Sequence, residues 1–145
     1  MKSSFEVLNQ ILKGEHMAIE QYQEYIDSLP SSPLRNHMVS IVTDHKNHAS
    51  RLAYFIQTNG GKASEGTGLV GTLSILGTKL KNLGEIKPLD MIDELYSGEN
   101  KGLAKAKELA SEYLSGSEKE ILASIFNDEE NHLKQLIRLK EDLVQ

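Results

Sequence analysis

The chain contains no cysteine, no basic run and no long apolar segment, and each absence removes a class of function. Without cysteine there can be no disulfide, no thiolate nucleophile, and no zinc-ribbon, rubredoxin or iron–sulfur site. The formal net charge of -5, with 26% charged residues of both signs, argues against a nucleic-acid partner. The amino terminus lacks the apolar core of a signal peptide, and no window reaches the roughly 18 apolar residues of a membrane span. We therefore expect a cytoplasmic protein.

The 145 residues are enough for a single domain with a buried core, at 1–145. In four stretches, apolar residues recur at alternating steps of three and four, which is typical of amphipathic helices, and no stretch alternates like a strand. The sequence predicts an all-α antiparallel four-helix bundle made of two helical hairpins, at about 4–58 and 88–143. A crossover at about 59–87 joins them, and leucines at helical spacing from 69 to 83 predict a short helix within it.

The ends of the helices carry recognisable signals. Ser3 followed by Glu6 predicts a capping box that opens the first helix, and Ser117 followed by Glu120 predicts a second one that opens the fourth. Proline opens the second and third helices, where its missing N–H costs nothing.

Six polar side chains interrupt the apolar faces of the helices. The fourth helix shows the problem clearly, because the apolar face that runs from Leu122 to Leu143 also contains Glu129 and His132. A buried carboxylate is costly unless it is neutralised, and no Lys or Arg lies on this face. A bound metal is the expected partner, and the candidate ligands are Glu15, His45, His48, Glu99, Glu129 and His132.

An internal repeat relates the two hairpins, because adding 84 to a residue number maps the first onto the second. The shift maps Gly14-Glu15 onto Gly98-Glu99, Asp44 onto Asp128, His48 onto His132 and His45 onto Glu129. The lengths of the helical legs and a crossover that traverses the bundle would place the six candidate ligands in one layer at mid-height.

Three carboxylates and three imidazoles favour iron, manganese or zinc over calcium or magnesium. Two divalent ions with a bridging hydroxide would bring the layer close to neutral. We interpret Glu129 as the bridging carboxylate and Glu15 and Glu99 as terminal ligands. Asp44 and Asp128 are placed to accept a hydrogen bond from the distal nitrogen of a ligand histidine on the other hairpin.

These residues carry a resemblance to a known superfamily. The paired spacing of 33 residues, from Glu15 to His48 and from Glu99 to His132, resembles that of the ferritin-like di-iron carboxylate superfamily. Its rubrerythrin-like branch, with small uncharacterised bacterial relatives, is the most similar. The motifs that carry the resemblance are Gly14-Glu15 with Ala18 and Tyr22, Asp44-His45-x-x-His48, Gly98-Glu99 and Asp128-Glu129-x-x-His132. The resemblance covers almost the whole chain. It implies a four-helix bundle with a di-metal centre, usually iron, that handles oxygen or peroxide or oxidises ferrous iron.

His45 departs from the pattern of the superfamily, which has a bridging glutamate at that position. The centre could therefore be an asymmetric pair, a single metal or zinc, and His45 could instead lie outside the coordination sphere. The cysteine-ligated domain of full rubrerythrins is absent, so turnover would need an external reductant. We thus expect a stress-response oxidoreductase of the di-iron type, or alternatively a non-catalytic metal-binding or protein-interaction bundle.

Several other residues have alternative interpretations. Glu20 or Glu24 could replace Glu15 as a ligand, and Tyr22 could hydrogen-bond to the site, relay an electron or pack in the core. We expect His16 and His37 to be solvated. The leucines of the crossover could pack on the bundle or form a homodimer interface.

Overall fold

The computed structural model describes residues 2–66 and 86–145, and these form four α-helices without a strand. The helices are α1 (Ser4–Ser28), α2 (Pro33–Thr58), α3 (Pro88–Tyr113) and α4 (Ser117–Val144). They pack into an all-α four-helix bundle, which confirms the predicted fold class. The short helix predicted at 69–83 lies outside the described residues.

The starts of the first three helices follow their sequence signals. The Glu6 N–H donates to the Ser3 hydroxyl at 3.2 Å, and the Ser3 N–H donates to the Glu6 carboxylate at 3.0 Å. This reciprocal pair is the predicted capping box. Pro33 and Pro88 occupy the first positions of α2 and α3, and Ser32 caps α2 by accepting from the N–H of Arg35.

The predicted capping box of Ser117 and Glu120 is wrong. The residue that caps α4 is Gly116, whose φ of 55° lies in the left-handed region that glycine adopts without strain. The predicted contact joined the Ser117 N–H to the Glu120 carboxylate. In the structure the corresponding contact lies two residues earlier, where the Ser115 N–H donates to the Glu118 carboxylate at 3.1 Å.

Contacts between the helices fix the topology. Tyr22 and Tyr25 of α1 hydrogen-bond to Glu99 and Glu94 of α3, so the two helices run antiparallel. The pairs His48–Asp128 and His132–Asp44 show the same for α2 and α4. With antiparallel hairpins α1–α2 and α3–α4, the end of α2 and the start of α3 lie at opposite ends of the bundle. The connection between them therefore joins opposite ends, as predicted.

The core consists of two apolar clusters, one toward each end of the bundle. The first cluster contains Leu8 and Ile125 together with the inward residues around them, and the second contains Tyr22, Ile41 and Leu136. Candidate ligands occupy the level between these clusters, at mid-height.

Leu143 was predicted to be buried and is 45% exposed, because it lies in the last turn of α4, where the bundle ends.

None of the described helices is long and apolar enough to cross a membrane.

Candidate metal centre

The layer between the two apolar clusters contains all six predicted ligands. Each of the four helices contributes, because every helix places a polar side chain on the face that is otherwise apolar. Among the described residues, the buried polar side chains are Glu15, His45, His48, Glu129 and His132. The Glu99 side chain is also buried, with 4% of its surface exposed. In the described part of the chain, no Lys or Arg side chain is buried in the layer to balance the carboxylates.

Two overlapping groups of these residues present ligand atoms within 4.8 Å of one another. The first group consists of Glu15, His45, His48 and Glu129, and the second of His45, Glu99 and His132. Each group has the size and the mixed oxygen and nitrogen donors of a protein metal site. His45 is the member that the two groups share.

His45 points into the layer and contacts carboxylates on both sides. Its Nδ1 donates to Glu15 Oε2 at 2.7 Å, and its Nε2 lies 3.2 Å from Glu99 Oε1. His45 therefore does not turn away from the cluster in this structure. Its side chain lies inside the candidate site.

Two aspartates hold the other histidines, as the sequence predicted. His48 Nε2–H donates to Asp128 Oδ2 at 2.8 Å, and His132 Nε2–H donates to Asp44 Oδ2 at 2.8 Å. Each aspartate belongs to the opposite hairpin and is about half exposed, at 42% and 45% of the side chain. With the proton on Nε2, the Nδ1 lone pair of His48 faces the layer.

Two buried nitrogen atoms in the layer, His48 Nδ1 and His45 Nε2, have no hydrogen-bond partner among the described residues. His48 Nδ1 lies 3.5 Å from Glu15 Oε2 and 3.9 Å from Glu129 Oε1. A lone pair that faces carboxylate oxygens is repelled by them unless a cation lies between. The donor set and its orientation therefore fit a metal ion.

Glu15 and Glu129 lie close enough for each carboxyl group to affect the pKa of the other. Burial raises the pKa of Glu129, and the hydrogen bond and negative charge of Glu15 raise it further, to about 10. Burial alone would also raise the pKa of Glu15, but hydrogen bonds with Glu129 and His45, together with the nearby His48 ring, hold it well below its ordinary value. Without metal, Glu129 is therefore neutral and Glu15 is ionised at pH 7.

Neighbouring carboxylates also determine the charge of His45, the histidine in the middle of the layer. Burial would lower the pKa of His45, but the hydrogen bond to Glu15 and the negative charges of Glu15 and Glu99 raise it to about 10. Without metal, a protonated His45 thus supplies positive charge that the layer otherwise lacks. A metal ion would replace this proton, because only deprotonated ring nitrogens bind metals.

Tyr22 orients the α3 carboxylate. Its hydroxyl donates to Glu99 Oε2 at 2.8 Å, while Glu99 Oε1 faces His132 Nδ1 at 2.6 Å. Burial would raise the pKa of Glu99, but the hydrogen bond with His132 and the proximity of His45 lower it to about 2. The hydrogen bond confirms one of the roles considered for Tyr22, and the ring also packs in the second apolar cluster.

A cavity of about 400 Å³ between α1 and α3 reaches the layer. Glu15, Glu99, His45 and Glu129 line its inner end, and the lining also includes Gly14, Gly98 and Gly102. Sequence reasoning missed this cavity. The available signal was glycine inside helices, where it costs about 1 kcal/mol relative to alanine and needs a reason. At Gly14 and Gly102 an added Cβ would meet nothing within 4 Å, so the space beside them is open.

The remaining candidates lie outside the cluster. Glu20 and Glu24 belong to neither ligand group, which leaves Glu15 as the α1 carboxylate of the site. His37 is exposed, as predicted. His16 is partly buried and its Nε2 lies 3.3 Å from the carbonyl oxygen of Ser64, so it is less exposed than predicted.

Comparison with known proteins identifies a family, but the description of that family states no function. The family described as "Domain of unknown function (DUF2383)" matches residues 3–112. This range includes Glu15, His45, His48 and Glu99, and it ends before α4. No curated protein matches the chain. No solved structure matches it either.

Proposed function

The chain belongs to the DUF2383 family of domains of unknown function, and we propose that its bundle binds two divalent metal ions, iron first of all, in the buried layer of glutamates and histidines. Manganese and zinc suit the same mixture of oxygen and nitrogen donors. The resemblance of the motifs to ferritin-like di-iron proteins supports iron. It also supports a role in handling oxygen, peroxide or ferrous iron during stress.

One observation carries the proposal. His48 Nδ1 and His45 Nε2 are buried, have no hydrogen-bond partner within residues 2–66 and 86–145, and lie within 4 Å of carboxylate oxygens. Native proteins rarely leave such atoms unsatisfied. A cation between the nitrogen and oxygen atoms satisfies both and removes the charge imbalance of the layer.

The ligands divide between the two ions by position. Glu15, His48 and Glu129 would hold one ion, and Glu99 and His132 would hold the other, with His45 within reach of both. Asp44 and Asp128 orient the imidazoles of His132 and His48 through their Nε2–H groups. The second ion has fewer protein ligands, which is typical of a site with a position open to water or substrate.

Bound iron would supply the two-electron chemistry of such a centre, and the residues around it would control access. The cavity between α1 and α3 gives a small molecule a route to the inner carboxylates, while the apolar clusters exclude bulk water from the rest of the layer. Dioxygen, peroxide or ferrous iron are the proposed substrates. An external reductant would be required, because the chain has no cysteine for an electron-transfer cluster of its own.

The position of His45 favours this function over a non-catalytic bundle with a degenerate site. A lost ligand would leave His45 outside the layer, whereas its side chain is buried and contacts both Glu15 and Glu99.

Elemental analysis of protein expressed in iron-supplemented medium tests the proposal. We expect close to two metal ions per chain, mostly iron, and a change in absorbance on addition of peroxide. The His48→Ala and His132→Ala variants should each lose metal, while His37→Ala, an exposed histidine on α2, should keep the wild-type content. A wild-type protein without metal would contradict metal binding, and a zinc protein that does not react with peroxide would contradict the redox role.

A further inference from the structure

We propose that His45 is a bridging ligand, which binds one metal ion through each of its two ring nitrogens. This inference rests on the two-metal function proposed above and specifies how the two ions are joined. A carboxylate bridge is the arrangement that the sequence suggested, with Glu129 in that role. The contacts of the layer point to the imidazole instead.

The two nitrogen atoms of His45 face different parts of the layer. Nδ1 lies 2.7 Å from Glu15 Oε2, on the side of the first ligand group, and Nε2 lies 3.2 Å from Glu99 Oε1, on the side of the second. The lone pairs of an imidazole point in divergent directions, so a ring in this position presents one to each group. Glu129, in contrast, belongs to the first group alone.

Packing holds the ring of His45 in this orientation. The ring centroid lies 5.5 Å from that of Tyr22 and 5.0 Å from that of His132, on two different helices. Only 2% of the residue is exposed. Because buried rings rarely have room to flip, each nitrogen keeps its side of the layer.

The internal repeat gives the bridge its place in the architecture. His45 and Glu129 are equivalent under the shift of 84 residues, and each precedes a histidine by three positions. Both side chains have two donor atoms, which is the requirement for a bridging ligand. The chain therefore carries one carboxylate and one imidazole at the two positions that the pseudo-symmetry relates.

Copper substitution tests the bridge, since Cu(II) binds nitrogen and oxygen ligands tightly and carries one unpaired electron. The metal-free full-length protein is loaded with Cu(II), the copper per chain is measured, and the electron paramagnetic resonance signal is compared with that content. We expect two copper ions per wild-type chain and a spin signal well below the copper content, because a bridging ring couples the two spins. His37→Ala should behave as wild type.

Variants separate the possible bridges. His45→Ala is expected to recover the full spin signal of each copper that it retains, whereas Glu129→Gln should keep the coupling whenever two ions bind. Added imidazole should restore the coupling to His45→Ala, and 1-methylimidazole, which has one free nitrogen, should not. If circular dichroism shows that His45→Ala does not fold, His45→Gln, which keeps a polar side chain beside Glu15, replaces it as the variant without a bridging ring.

The outcomes distinguish this inference from the proposed function. Fewer than two ions in the wild-type chain would overturn the two-metal function and the bridge together. Two uncoupled ions, coupling that survives His45→Ala, or equal rescue by the two imidazoles would overturn the bridge alone and leave two-metal binding in place. Coupling that depends on His45 and returns only with imidazole supports the bridge.

Discussion

The Glu129→Gln substitution is expected to stabilise the metal-free protein while it weakens metal binding. In the metal-free layer, Glu129 holds a proton because burial and the charge of Glu15 raise its pKa to about 10, from an ordinary value of 4.5. Glutamine has the same shape and is neutral without a proton. Its amide N–H can donate to Glu15 in place of the carboxyl O–H, so the buried hydrogen bond can be kept.

The size of the effect follows from the pH. Between about pH 4.5 and 10 the folded protein binds a proton at Glu129 that the unfolded chain lacks, so its stability falls as the pH rises. The loss is about 1.4 kcal/mol for each pH unit above 4.5, which gives an upper limit of about 3 kcal/mol at pH 7. The glutamine variant avoids this cost. Its advantage should vanish near pH 4.5 and grow as the pH rises.

Urea denaturation of chelator-treated protein, followed by circular dichroism at pH 5, 7 and 8.5, measures this difference. Glu141→Gln, an exposed glutamate on the same helix, is the matched control and should have little effect at any of these pH values. With two equivalents of metal the order should reverse, because ligand binding stabilises the wild-type protein more than the variant. A variant less stable than wild type at pH 7, or a difference that does not change with pH, would refute the electrostatic reasoning.

Three further predictions concern the surroundings of the ligands. Asp44→Asn and Asp128→Asn should each weaken metal binding by roughly 10- to 100-fold in a chelator competition assay. The control Asp142→Asn, at an exposed site, should leave the affinity unchanged. Unchanged affinities in the first two variants would contradict the role of these aspartates in orienting the histidines. Gly102→Leu should narrow the cavity and slow the reaction with peroxide in stopped-flow absorbance, with the metal content unchanged; an unaltered rate would exclude this route of access. Tyr22→Phe removes the hydrogen bond to Glu99 and should lower the free energy of unfolding of the metal-free protein by about 1 kcal/mol, measured by urea denaturation. An unchanged free energy of unfolding would mean that the Tyr22 ring contributes by packing alone.

The sequence by itself determined the helices and the residues that face the core. Apolar steps of three and four place Glu129 and His132 on the same side as Leu136, since side chains three and four apart project from one face of a helix. The repeat then identified the six members of the layer and the two aspartates that hold its histidines. The sequence also predicted that Asp128 accepts a hydrogen bond from a histidine of the opposite hairpin, and the structure identifies that histidine as His48.

Only the tertiary structure decided how the six side chains face one another and what space surrounds them. Helical periodicity gives the direction of a side chain around its own helix, but the distance from His45 to Glu99 depends on how α2 and α3 pack. The cavity between α1 and α3 and the exposure of Leu143 depend on the same packing. The cap at Gly116 depends on backbone dihedral angles that several turn sequences can adopt. Local pattern thus specified which residues form the candidate metal centre, and the packing of four helices specified that His45 lies between its two halves.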